Sequence, residues 1–198
     1  KLTDTNFRDV VNGWAADFII GFTQKTELAA VFAQGEWDLS EKWRLIAGLR
    51  YTDISRDFLY TGTNLGGGPQ PATGVARIIS DSEPSGKIGL DYIYSDDLLL
   101  YASFSRGFKG GGTSGSINFD PDKFTVYEPE ILNAYEAGFK WTAAEGTVRF
   151  NSAVYYYDWK DFQAATAIDI EGIRIIVLAN AGDAEILGLE SELNWSVT

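Results

Sequence analysis

The chain has 198 residues, of which 45% are hydrophobic, 22% charged and 14% aromatic, with 21 glycines and a formal net charge of −12. That acidic balance excludes nucleic acid as an expected partner, because phosphates call for clustered Lys and Arg. The absence of Cys and His excludes disulfides, thiolate or imidazole metal sites and histidine-activated nucleophiles.

A pair of carboxylates is the catalytic device the composition still permits. Abundant Tyr, Phe and Gly with short apolar runs favour strands and turns over helices. Lys1-Leu2-Thr3-Asp4 opens no basic-then-apolar leader, and no window reaches the roughly 18 apolar residues of a spanning helix. A barrel strand escapes that test, since it crosses a bilayer in about 9–11 residues of alternating character.

Taken in chain order, Leu28 to Leu39 reads as a faint strand. Trp43 to Thr52 is clearer, setting Trp43, Leu45, Ala47, Leu49 and Tyr51 against Arg44, Ile46, Gly48, Arg50 and Thr52. Ser85 to Tyr94 opposes Ile88, Leu90, Tyr92 and Tyr94 to Lys87, Gly89 and Asp91, and Leu98 to Phe108 follows faintly. Asn133 to Trp141 places Tyr135, Ala137, Phe139 and Trp141 on one parity, with Glu136, Gly138 and Lys140 on the other. Thr147 to Tyr156 aligns Val148, Phe150, Ser152, Val154 and Tyr156 against a parity containing Arg149 and Asn151. Leu187 to Trp195 aligns Leu187, Leu189, Ser191, Leu193 and Trp195 against Gly188, Glu190, Glu192 and Asn194. Each is a period of two with an uncharged apolar face.

The connections alternate in length. Ser40-Glu41-Lys42, Ser95-Asp96-Asp97 and Ala144-Glu145-Gly146 are tight, whereas about Gly62 to Glu83 and about Gly110 to Pro129 are long, with a shorter one near Asp169 to Ile173. Outer-membrane barrels have short periplasmic turns and long external loops. Trp37, Trp43, Tyr94, Trp141 and Trp195 lie near the expected short-turn side, as an aromatic girdle at the headgroup level would. An antiparallel sandwich explains the alternation equally well but not the two alternating turn lengths.

Several stretches resemble the barrel of TonB-dependent receptors. They are Ala47-Gly48-Leu49-Arg50-Tyr51-Thr52, the run Leu100 to Gly112, Pro129-Glu130 with Ala134 to Lys140, Phe150 to Gln163, and Asn180 to Glu190, in the family's order. The resemblance implies an all-β, antiparallel transmembrane barrel of which residues 1–198 are a partial domain of about seven strands. Neither a plug domain with its TonB-contact segment nor closing strands can be read in it, so the expectation is an internal fragment that transports nothing alone.

The resemblance further implies energised uptake of a scarce nutrient, with a ferric siderophore the commonest substrate. The partners it implies are the TonB complex through the missing plug segment, outer-membrane lipid and lipopolysaccharide, and the nutrient chelate. No catalytic residue, cofactor or metal site is expected. A passive porin-type barrel and a soluble β-sandwich carbohydrate-binding module are the alternatives.

Arg106, Lys109, Trp159 and Lys160 approach the external strand ends, where basic and aromatic groups can meet an anionic chelate. Lipopolysaccharide contact suits the same residues. The charged parity (Arg44, Arg50, Lys87, Asp91, Glu136, Lys140, Arg149, Glu190 and Glu192) is expected to pair internally in a wet lumen. Gly110, Gly112 and Gly115 have the GxGxxG spacing, but Ile117 to Asp122 does not start the helix that a dinucleotide site requires. Asp81, Glu83, Asp120 and Asp122 offer oxygen atoms to calcium without EF-hand spacing.

Overall fold

The structure, a computed structural model, describes residues 2–11, 14–170 and 173–196. Eight strands form one antiparallel sheet: β1 (Leu2–Val11), β2 (Trp14–Asp38), β3 (Trp43–Asn64), β4 (Val75–Ser95), β5 (Leu98–Lys109), β8 (Glu130–Ala143), β9 (Val148–Lys160) and β12 (Ala184–Trp195). Two small sheets accompany it. The pair β6 (Gly112–Thr113) and β7 (Val126–Tyr127) lies inside the β5–β8 connection, and the pair β10 (Gln163–Ile170) and β11 (Ile173–Asn180) lies between β9 and β12. The seven strands read from sequence are all present, and β1 makes an eighth in the sheet.

Register unites the apolar parities into one face. Leu45 stands opposite Leu90, Leu90 opposite Ala102, and Ala102 opposite Ala137. Ala137 then faces Val154, and Val154 faces Leu189. Because side chains alternate sides along a strand, residues paired across a ladder share a side. The whole apolar set therefore points one way and the charged set the other. Among the described residues no second sheet covers the apolar face: Leu49, Leu187 and Leu189 are 67%, 75% and 74% exposed. A sandwich would bury them, while a barrel turns them to lipid.

The short turns are tight, as the sequence suggests. At the third, Glu145 and Gly146 adopt positive φ of 55° and 89°, which reverses the chain between β8 and β9. At the opposite end the strands run further than their lipid-facing pattern. β2, β3 and β4 have 25, 22 and 21 residues, about twice what crossing a bilayer requires. The long connection after Gly62 accordingly shrinks to residues 65–74, because its flanks are strand.

The buried core sits at this tall end, on the charged parity's side. Phe18, Ile20, Phe58, Tyr60 and Val75 project from β2, β3 and β4, and Ala72, Ile117 and Phe124 pack over them. Phe58 and Tyr60 belong to the same parity as Arg44 and Arg50. The loop after β5 thus folds over the lumenal side of the sheet and forms a roof.

Candidate functional site

The site is built from the external ends of β3, β4, β5, β8 and β9 and the roof that covers them. Edge-to-face aromatic contacts fix the roof, with Phe18 on Phe119 at 5.8 Å and Tyr60 on Phe124 at 4.7 Å between ring centroids. The Ala72 N–H donates to the Asn118 carbonyl at 2.7 Å, joining the 65–74 loop to the roof. The Asn118 side chain donates to the Lys123 carbonyl at 2.8 Å and accepts the Asp120 N–H at 3.0 Å. An otherwise irregular segment, anchored by the buried Asn118, thereby satisfies part of its own backbone.

Two clasps hold the stems of the roof. On one side the Asp81 carboxylate accepts from the Arg56 guanidinium at 3.0 Å and from the Gly111 N–H at 2.9 Å. Gly110 lies against that guanidinium so closely that a Cβ would collide with it. On the other side Glu130 accepts from the Trp159 indole and from the Gln163 N–H, both at 2.7 Å. Glu130 is buried, where an unmatched carboxylate would be costly.

The four residues selected from sequence do not converge. Trp159 lies on the lumenal parity, opposite Leu132, and its ring packs edge-on against Phe162 at 5.5 Å. Lys109 pairs in register with Glu130, and its carbonyl accepts from the Gln163 side chain. Trp159 and the Lys109 backbone therefore meet around Glu130 and Gln163. Arg106 and Lys160 belong to the other parity, in line with Phe104 and Val154. Arg106 contacts Glu83 at 3.3 Å and Asn133 at 3.4 Å, and Lys160 bridges Asp158 at 3.1 Å and Asp183 at 3.0 Å. The Lys160 ammonium, followed by the Asp161 N–H, holds the Asp183 carboxyl below the usual range.

On the lumenal face a groove of about 540 Å³ runs over β5, β8, β9 and β12, lined by Tyr101, Glu136, Tyr155, Tyr157, Glu190 and Glu192. Tyr155 stacks on Tyr157 at 4.8 Å, and its ring lies over Gly188, where any side chain would displace it. The expected mutual pairing of the lumenal charges is replaced at several positions by other neighbours. Arg44 does pair, with Asp38 opposite it in register at 2.8 Å, whereas Arg50 donates to Thr52 at 2.9 Å. Glu136 accepts the Tyr101 hydroxyl at 2.7 Å, and Lys140 lies 5.7 Å from that ring's centre.

Three of the acidic residues considered for calcium, Asp81, Glu83 and Asp120, find side-chain partners within the chain. Besides Asp81 and Glu83, the Asp120 carboxylate accepts the Asp122 N–H at 2.9 Å and meets Lys123 at 3.3 Å. Residues 114–125, after the glycine run, contain no helix. Sequence reasoning missed Arg56, Gln163 and Asn180. Arg56 interrupts an apolar parity beyond Thr52, where the strand pattern legible in the sequence stops, and the two amides carry no local signal of the distant carbonyls they bind.

The profile of the family described as TonB dependent receptor-like, beta-barrel matches residues 2–198. The chain belongs to the TonB-dependent receptor β-barrel family. Among curated relatives it is 26% identical over 175 residues to the pesticin receptor of Yersinia pestis, covering 88% of this chain and 24% of that protein. It is 25% identical over 175 residues to the metal-pseudopaline receptor CntO of Pseudomonas aeruginosa, covering 88% and 23%. The chain thus spans about a quarter of the length of these receptors.

Among solved structures, the ferric yersiniabactin uptake receptor FyuA of Yersinia pestis superposes with a TM-score of 0.74 at 22% identity, over 93% of this chain and 28% of that one. The copper transporter OprC superposes with a TM-score of 0.64 at 16% identity, over 100% and 35%. The sheet is accordingly part of a larger outer-membrane barrel. Its apolar face is the lipid face, and the roofed, charged face is the lumenal one.

Proposed function

We propose that this chain forms part of the wall and external mouth of a receptor that takes up a metal chelate, with a ferric siderophore as its substrate class. Uptake is driven through TonB acting on a plug inside the barrel. The observation that carries the reading is the roof: an external loop folded onto the lumenal face, over a wall whose other face is built for lipid. That arrangement belongs to a guarded entrance more than to an open pore. The relatives' names point to metal-chelate cargo, ferric yersiniabactin for one and metal-pseudopaline for another.

Within this reading Trp159 and Lys109 are the ligand-side residues, since both lie on the lumenal parity at the external end. Arg106 and Lys160 contact lipopolysaccharide instead, because their parity is the lipid one. The test is uptake of radioactive iron as ferric yersiniabactin by cells whose only such receptor is the whole protein, with and without TonB. Uptake that depends on TonB and falls in Trp159→Ala is expected. Uptake that survives loss of TonB would favour the passive porin, and uptake of copper or other chelates without ferric ones would move the substrate class.

A further inference from the structure

The ladder between β4 and β5 ends early. Its last pair is Gly86 with Arg106, yet β4 runs on to Val75 beside β3, and β5 runs on to Lys109 beside β8. The wall is therefore split above Gly86, and the upper part of β4 is paired on one side. Proline accounts for the level of the split. The Ile93 N–H donates to the Lys42 carbonyl at 2.8 Å, so odd residues of β4 turn their main chain to β3 and even ones turn theirs to β5. Pro84 is the first even residue above the ladder, and it has no N–H to donate.

Above Pro84, the main chains of Ala76, Ile78, Ser80 and Ser82 face the gap. The Arg77 guanidinium caps the Ala76 carbonyl at 3.0 Å. Among the described residues no main chain pairs with Ile78, Ser80 or Ser82 on this side. All three are exposed, Ile78 by 75%. An unpaired strand edge is a template for another strand unless charge or proline blocks it. Here the blocks, Pro84 and the Arg77 cap, stand at the two ends and leave Ile78 to Ser82 open between them.

The neighbouring side chains define what would fit. Away from the lumen Ile78 stands opposite Asp57, Ser80 opposite Ser55, and Ser82 opposite Asp53. On β2 the nearby Lys25 is engaged by Glu27, which leaves the two aspartates to face an arriving cation. An added strand would set one side chain beside each of these β4 residues. An apolar one would cover Ile78. Beside Ser80 and Ser82 there is room for a long side chain to reach the carboxylates of β3, two strand spacings of about 4.8 Å away. Lysine and arginine have that length and the matching charge. A second copy of this chain would offer the same edge, which carries no outward lysine or arginine between Ala76 and Pro84.

We propose that Ile78 to Ser82 of β4 is a docking edge, on which an extended basic segment of a partner protein adds a strand. Main-chain hydrogen bonds along the edge supply the affinity, and Ile78, Asp53 and Asp57 select the sequence. The segment that fits has one apolar and two basic residues on its outward side.

The probe is a synthetic peptide of about nine residues, with valine, lysine and lysine at alternate central positions and threonine elsewhere. Fluorescence anisotropy reads its binding to the whole receptor in detergent micelles, and hydrogen exchange reads β4. Binding that slows exchange within residues 76–82 is expected. Ser80→Pro removes the central N–H facing the gap, as Pro84 does lower on the same strand, and spares the bonds to β3. It should weaken binding by about tenfold or more, whereas Ser80→Ala should not. Unchanged exchange in β12 is the control for folding. Asp53→Asn with Asp57→Asn should weaken binding by about threefold to tenfold at low salt, and a peptide with glutamate in place of lysine should bind more weakly still.

No binding to the whole receptor would overturn the proposal, because another part of the molecule would then cover the edge. Binding that Ser80→Pro leaves unchanged would also overturn it, and so would equal affinity for the lysine and glutamate peptides. A receptor dimer that forms without peptide and dissociates in Ser80→Pro would put a second copy on the edge instead.

Discussion

The lipid-crossing and external halves of the same strands obey opposite rules. In the lower half of β3 the odd residues Trp43, Leu45, Ala47, Leu49 and Tyr51 are apolar, and the even ones carry Arg44 and Arg50. Above Thr52 the odd positions become Asp53, Ser55 and Asp57, while the even ones become Ile54, Phe58 and Tyr60. Neither the strand nor its register changes at this point: Tyr51 pairs with Pro84 and Tyr60 with Val75 in one continuous ladder. What changes is the solvent. Below, apolar side chains are drawn outward to lipid, and above, they are drawn inward, where the roof covers them.

The comparison is broken most severely from the roof. Phe58 is 3% exposed, and Phe58→Ala should cost the roof about 3–5 kcal/mol of local stability. Exchange of the Ala72 amide, which bonds to Asn118, should rise by at least a hundredfold while β12 is unaffected. Protection that persists there would mean the aromatic cluster is not what holds the roof down.

The lower half has its own test. Val154 lies in a row with Ala102, Ala137 and Leu189, between the Tyr135–Tyr156 and Trp141–Phe150 levels. Val154→Arg should destabilise the full barrel by about 2–4 kcal/mol at the midplane, read as a lower urea midpoint in lipid vesicles. Asn151→Arg, on the lumenal parity, should change that midpoint far less. Equal effects from the two substitutions would erase the distinction between faces.

The clasp between the halves is next in size. Asp81→Asn keeps the shape of the side chain but removes the charge facing Arg56 and weakens the bond from Gly111. A loss of about 1.5–3 kcal/mol is expected, as for hydrogen bonds to charged groups, seen as faster proteolysis within residues 114–125 and not in the membrane band.

The smallest effect is a pH dependence at the base of the β10–β11 hairpin. The Asp183 carboxyl titrates below its usual 3.8 because Lys160 and the Asp161 N–H favour the charged form. A carboxyl lowered on folding adds stability above its unfolded pKa and loses it as pH falls through the folded value. Exchange of the β10 and β11 amides, corrected for intrinsic rates, should therefore be flat from neutral pH to the carboxylate range and rise below it. Asp183→Asn should abolish that rise. A rise beginning near neutrality would assign the transition to another group.

The membrane-crossing half was legible residue by residue. Leu90, Phe139, Val148 and Phe150 were placed on the apolar face from alternation alone, and register puts them there. The upper half was not, because a period-two pattern identifies a strand only while one parity stays apolar. From Asp53 the parity switches and the strand pattern lapses, so the segment from about Gly62 to Glu83 reads as connection although half of it is strand. The site was less legible still. Trp159 lies at the clasp, but Arg106 and Lys160 fall on the other parity, since closeness to a strand end says nothing of the side it faces.

Sequence by itself determined that this is a β chain, where its tight turns fall, which residues meet lipid and which family it resembles. Those properties are local or periodic, and lipid imposes them on each strand separately. Only the tertiary structure decided that the 110–129 loop turns inward, that Asp81 and Glu130 clasp its stems, and that the connection between β9 and β12 turns at Asp161 and Gly182 to rest on it. These contacts join residues up to 64 positions apart, as Ser114 to Leu178. Each is made by a side chain that binds whatever backbone the fold brings to it.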